Sequence, residues 1–102
     1  MVRATIQPPA RKIAEFCHRH HVRRLALFGS VLRPDFGAES DIDVLIEFEQ
    51  GHVPGYFGMF DLAEELSVLF DGRKIDLRTP ADLSRYFRGQ VLAEAEIQYV
   101  AQ

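Results

Sequence analysis

The segment Asp41 to Phe48, DIDVLIEF, constrains this chain most, because polar and apolar residues alternate along it and only an extended strand sorts such a pattern onto two faces. Residues two apart on a strand point to the same side, so Asp41, Asp43, Leu45 and Glu47 share one face while Ile42, Val44, Ile46 and Phe48 share the other. An apolar face of this kind must be covered. Val22 to Phe28 (VRRLALF) is a second strand candidate, ended by Gly29-Ser30, and Arg73 to Thr79 (RKIDLRT) is a third, broken by Pro80.

The covering elements are helical. Pro8 and Pro9 can open a helix of roughly residues 8 to 20, with Ile13, Phe16, Cys17 and His20 on one face. Gly51, Pro54, Gly55 and Gly58 mark a loop, after which Phe57, Phe60, Ala63, Leu66 and Phe70 trace a second helix that stops at Asp71-Gly72. From Ala81 the chain reads as helix again, with Gly89 separating a short piece from a last helix through Tyr99. The expected order is helix, strand, turn, strand, helix, strand, helix. So few strands separated by helices imply an α+β fold with a small mixed sheet and helices packed mainly on one face. No linker, repeat or low-complexity tract divides residues 1–102, so a single domain is expected.

Composition narrows the function classes. With 47% apolar and 26% charged residues the chain is expected to fold as an ordinary globular domain. No apolar run approaches the roughly 20 residues of a membrane helix, and MVRATIQPPARK has no signal-peptide core, so a cytoplasmic protein without membrane contact is expected. Cys17 is the single cysteine, which permits no internal disulfide and no cysteine metal cluster. The net charge of -3 hides a segregation: residues 1–24 carry six basic groups against Glu15, and residues 34–72 carry ten acidic groups and no Lys or Arg. Such an acidic middle repels a nucleic-acid backbone unless cations intervene, which disfavours direct nucleic-acid binding and makes a metal worth seeking.

The residues that can carry chemistry lie between Phe28 and Phe48. Asp41 and Asp43 are neighbours on one strand face, so they either look into water or hold a cation; hard oxygen ligands suit Mg²⁺. A lone D-x-D is ordinarily a solvated face. Gly29-Ser30 after an apolar strand can turn backbone N–H groups toward a phosphate, although the chain has neither a P-loop nor a G-x-G-x-x-G pattern. Asp76 on the third strand, with Lys74 and Arg78 on its face, reads singly as a solvated or paired carboxylate. Together, a phosphate-type turn, two same-face carboxylates and a third on the next strand fit two-metal phosphoryl chemistry. His18, His20 and His21 read as a solvated helix end, and Cys17 as core. The aromatic run Tyr56, Phe57, Met59, Phe60 reads first as core and second as a docking surface.

Gly29-Ser30, ten intervening residues, Asp41-Ile42-Asp43, and Asp76 in an I-D-L strand after the next helix closely resemble the minimal nucleotidyltransferases of the DNA polymerase β-like superfamily. The resemblance spans nearly the whole chain and extends to the tail, DLRTPADLSRYFRGQVLAEAEIQYV. It implies that Gly29 and Ser30 hold the phosphates of ATP, that Asp41 and Asp43 bind Mg²⁺, and that Asp76 completes the metal site as a candidate base for an acceptor hydroxyl. Arg33 is a further candidate for the phosphates because a guanidinium pairs well with them, although many relatives carry glycine where this chain has Pro34. The resemblance further implies transfer of AMP to a protein hydroxyl, in an antitoxin paired with a helical HEPN ribonuclease toxin. A non-catalytic antitoxin that neutralises its toxin by covering it is the alternative, and self-association stays open.

Overall fold

The structure, a computed structural model, describes residues 6–37 and 39–101. Arg3, one of the six basic residues of the first quarter, lies outside the described residues. The elements are α1 (Ala10–Arg19), β1 (Val22–Phe28), a 3-10 turn (Gly29–Leu32), β2 (Ile42–Phe48), α2 (Tyr56–Leu69), β3 (Ile75–Arg78), a second 3-10 turn (Pro80–Asp82), α3 (Arg88–Glu94) and β4 (Glu96–Val100). The four strands form one mixed sheet in the order β3-β2-β1-β4. β1 is antiparallel to both β2 and β4. β2 and β3 are parallel, with Asp43 in register opposite Asp76. A parallel pair needs a long crossover, and α2 supplies it.

The apolar face of the strands is buried as the alternation requires. Ile42, Val44 and Ile46 from β2, Leu25 and Leu27 from β1, and Ile75 from β3 pack against Ile13, Phe16 and Cys17 of α1 and against Leu62, Leu66 and Phe70. Burial pushes the Cys17 thiol up to about 12, so it is an inert core group. On the opposite face Ala26 and Leu45 are opposed in register and are also buried, at 1% and 2% exposure. That face carries Asp43 and Asp76.

Two expectations are corrected. The tail is not a helix from Ala81 split at Gly89 and running to Tyr99: only the 3-10 turn Pro80–Asp82 precedes α3, Gly89 lies inside α3, which stops at Glu94, Ala95 is extended, and β4 pairs along β1. β4 supplies hydrogen-bond partners along the outer edge of β1, and its Ile97, Tyr99 and Val100 are strand formers that suit this pairing. The aromatic start of α2 also faces outward. Tyr56, Phe57 and Phe60 are 83%, 80% and 60% exposed, and the buried stripe runs instead through Leu62, Leu66 and Phe70, with Met59 and Ala63 packed beside it. α2 is apolar on more than one side, so periodicity alone cannot choose its inner face.

The histidine-rich end of α1 is a structural tie. Arg19 Nη1 lies 2.6 Å from Oε1 of Glu65 on α2, and His20 Nε2 lies 2.6 Å from Oε2 of the same carboxylate. Burial raises the Glu65 pKa, but the hydrogen bonds from Arg19 and His20 outweigh it, leaving the carboxyl below its ordinary value.

Candidate active site

β1 ends where β2 and β3 begin, so the Gly29-Ser30 turn, Asp41, Asp43 and Asp76 come together at one end of the sheet. Asp41 immediately precedes β2, Asp43 is opposite Phe28 on one side and Asp76 on the other, and all three carboxylates keep access to solvent. Gly29 has a φ of +73°, and a Cβ there would collide with Asp43 Oδ2. The turn can approach the carboxylate this closely only because residue 29 is glycine. Ser30 then directs its backbone N–H at Asp43, and its hydroxyl donates a long 3.4 Å hydrogen bond to the Asp41 carbonyl.

The charges at this end are only partly compensated. Burial pushes the Asp43 carboxyl above its ordinary pKa, and the charge of Asp76 and its side-chain hydrogen bond push the same way; the Ser30 N–H and Arg78 oppose them without winning. Arg78 Nε lies 3.3 Å from Asp76 Oδ1, and Lys74 Nζ is 3.9 Å from Asp41 Oδ2. By contrast, Glu47, further along the polar face of β2, is bound by Arg23 at 2.8 Å and Arg24 at 2.7 Å. That carboxylate is neutralised and unavailable to a cation. Asp43 and Asp76 offer hard oxygen donors close to each other, with Asp41 just before the same strand, and donors of this kind suit Mg²⁺.

Arg33 stands apart from this cluster in its contacts. Its side chain is largely exposed and pairs with Asp35 at 3.5 Å, while its backbone N–H closes the 3-10 turn on the Ser30 carbonyl. A recess of about 580 Å³ adjoins Asp76 and is lined also by Tyr56, Met59, Phe60, Thr79 and Asp82. Thr79 and Asp82 form a capping box, with Asp82 Oδ2 accepting from the Thr79 N–H and hydroxyl at 3.0 Å each. Neither Thr79 nor Asp82 was among the candidate site residues, although T-P-A-D after a strand is a legible cap signal.

A family model described as "Nucleotidyltransferase domain" matches residues 10–98. Protein adenylyltransferase MntA of Thermococcus cleftensis is 32% identical over 80 residues, covering 78% of each chain. The Methanocaldococcus jannaschii protein MJ1379 is 38% identical over 61 residues, which span 60% of each chain. Among solved structures, a toxin-antitoxin complex with AMP-PNP superposes with a TM-score of 0.70 at 21% identity, covering 91% of this chain and 74% of that one. A complex of the tri-AMPylated Shewanella oneidensis HEPN toxin with its MNT antitoxin superposes with a TM-score of 0.63 at 21% identity, covering 91% and 71%. Matched from α1 into β4, the chain belongs to the nucleotidyltransferase domain family.

Proposed function

We propose that this protein transfers AMP from ATP to a hydroxyl of a partner protein, a HEPN-type toxin that it silences as an antitoxin. The observation that carries this reading is the opposition of Asp43 and Asp76 beside the Gly29-Ser30 turn, where close carboxylates and the Ser30 backbone N–H lie together. Asp41 and Asp43, joined by Asp76, would hold Mg²⁺, which when bound screens the negative charge of the triphosphate and of its pyrophosphate leaving group. The Gly29-Ser30 turn would receive the phosphates, with Arg33 free to leave its weak, exposed pair with Asp35 and join them. Asp76 would accept the proton of the acceptor hydroxyl as its oxygen bonds to the α-phosphorus and the bond to pyrophosphate breaks. The recess beside Asp76, rimmed by Tyr56 and Phe60, gives an acceptor side chain a way in.

The names of the relatives support the same assignment: one is a protein adenylyltransferase, and another similar chain lies in a complex with a HEPN toxin carrying three AMP groups. The alternative of a non-catalytic cover for the toxin draws on the exposed aromatic residues of α2. Incubating the protein with labelled ATP, Mg²⁺ and the protein encoded beside it separates the two. Label on the neighbour, lost in Asp43→Asn, is the expected outcome; a tight complex that never becomes labelled would establish the binder instead.

A further inference from the structure

At the other end of the sheet a second cluster of ligating side chains lies outside the nucleotidyltransferase site. His21 precedes β1 and Glu49 follows β2, and the opposition of Val22 and Phe48 brings them side by side. The Glu49 N–H donates to the His21 carbonyl at 2.8 Å, and the His52 N–H donates to the Glu49 carbonyl at 3.0 Å across a turn in which Gly51 has a φ of +84°. This turn stacks the His52 ring on that of His21, with centroids 3.8 Å apart and planes 17° from parallel. Glu49 Oε2 lies 3.3 Å from His21 Nδ1, and one ligand atom from each of the three residues lies within 4.8 Å of the others.

We propose that His21, Glu49 and His52 bind a transition-metal ion, with Zn²⁺ as the reference case. Two imidazoles and one carboxylate are a donor set that Zn²⁺ accepts, whereas Mg²⁺ and Ca²⁺ take oxygen ligands, so this site and the aspartate cluster select different ions. Tetrahedral Zn²⁺ with bonds of about 2.0–2.1 Å separates its ligand atoms by about 3.4 Å, so the present spacing must contract by roughly 1.4 Å at most. The stacked rings must also turn so that their in-plane lone pairs converge on one ion, and the exposure of all three side chains leaves room for that turn. Backbone hydrogen bonds already hold their Cα atoms in place, which limits the ordering cost to side-chain rotamers. The bound ion would pin the loop after β2 to the entry of β1, four residues before α2 begins at Tyr56. It would thereby steady the segment that leads to the recess beside Asp76.

Titration of the whole protein with Zn²⁺ against a chromophoric chelator tests this, with circular dichroism confirming that each variant is folded. One equivalent of Zn²⁺ should bind to the wild type, with affinity reduced at least about tenfold in both His52→Ala and Glu49→Gln, the loss of a direct ligand costing no less than that of a supporting group. Asp43→Asn should bind this equivalent unchanged, which separates it from the aspartate cluster. Glu49→Gln removes a ligand without altering the loop backbone and serves as the deciding variant if His52→Ala disturbs the turn. Equal Zn²⁺ affinity in the wild type and Glu49→Gln, absence of saturable binding, or loss of the equivalent in Asp43→Asn would each overturn the proposal.

Discussion

Gly29 is constrained twice, by its left-handed φ of +73° and by the carboxylate of Asp43 standing where a side chain would begin. Alanine there must either push Asp43 off its register with Asp76 or move the turn away from β2. Gly29→Ala should therefore destabilise the fold by about 1–3 kcal/mol in urea denaturation. It should also weaken nucleotide binding, because the turn and the carboxylate cannot both keep their places; a variant as stable as wild type with unchanged ATP affinity would show that the close approach is dispensable. The Gly-Ser dipeptide was legible as a turn from sequence, but its dependence on glycine was not, since Asp43 is fourteen residues further along the chain. Arg33 is the converse case: its guanidinium marked it as a candidate, and in the fold its partner is Asp35.

For α2, the rotation of the helix divides its apolar residues into those that support the core and those that do not. Leu66 is fully buried against the sheet, whereas Phe57 is 80% exposed. Leu66→Ala should cost about 2–5 kcal/mol of stability by leaving a cavity. Phe57→Ser should change stability by no more than about 0.5 kcal/mol, because it removes no core contact. Denaturation of the two variants side by side checks this, and a Phe57→Ser loss as large as that of Leu66→Ala would contradict the observed orientation. β4 shows another limit of local reading: EIQYV alternates and is rich in strand formers, yet only its pairing with β1 separates it from the helical stretch before it.

In the whole molecule, the segregated charges of the sequence become pairs between elements. Arg19 reaches Glu65, and Arg23 and Arg24 reach Glu47, so half of the six basic residues of the first quarter offset carboxylates of the acidic middle. The aspartate end keeps an excess of negative charge, and this sets the stability of the metal-free protein. Burial and Asp76 both oppose ionisation of Asp43, so Asp43→Asn should melt at or above the wild-type temperature without Mg²⁺, gaining about 0.5–1 kcal/mol after screening by solvent. Mg²⁺ with ATP should reverse the order, adding about 2.7 kcal/mol to the wild type at a hundredfold excess over Kd and little to the variant. A wild-type melting temperature indifferent to Mg²⁺-ATP would rule out the nucleotide site. Among the described residues no helix is long and apolar enough to cross a membrane. By itself the sequence determined β1, β2, β3, the class of the fold and the spacing that places the chain among nucleotidyltransferases, because alternation, turn residues and motif spacing are local properties. Only the tertiary structure decided the strand fate of residues 96–100, the outward face of Phe57 and Phe60, and the meeting of His21 with Glu49 and His52. Each of these depends on which surface a distant segment covers, and that is settled when the buried backbone of β1 finds its partners and the sheet chooses the face of each helix it will hide.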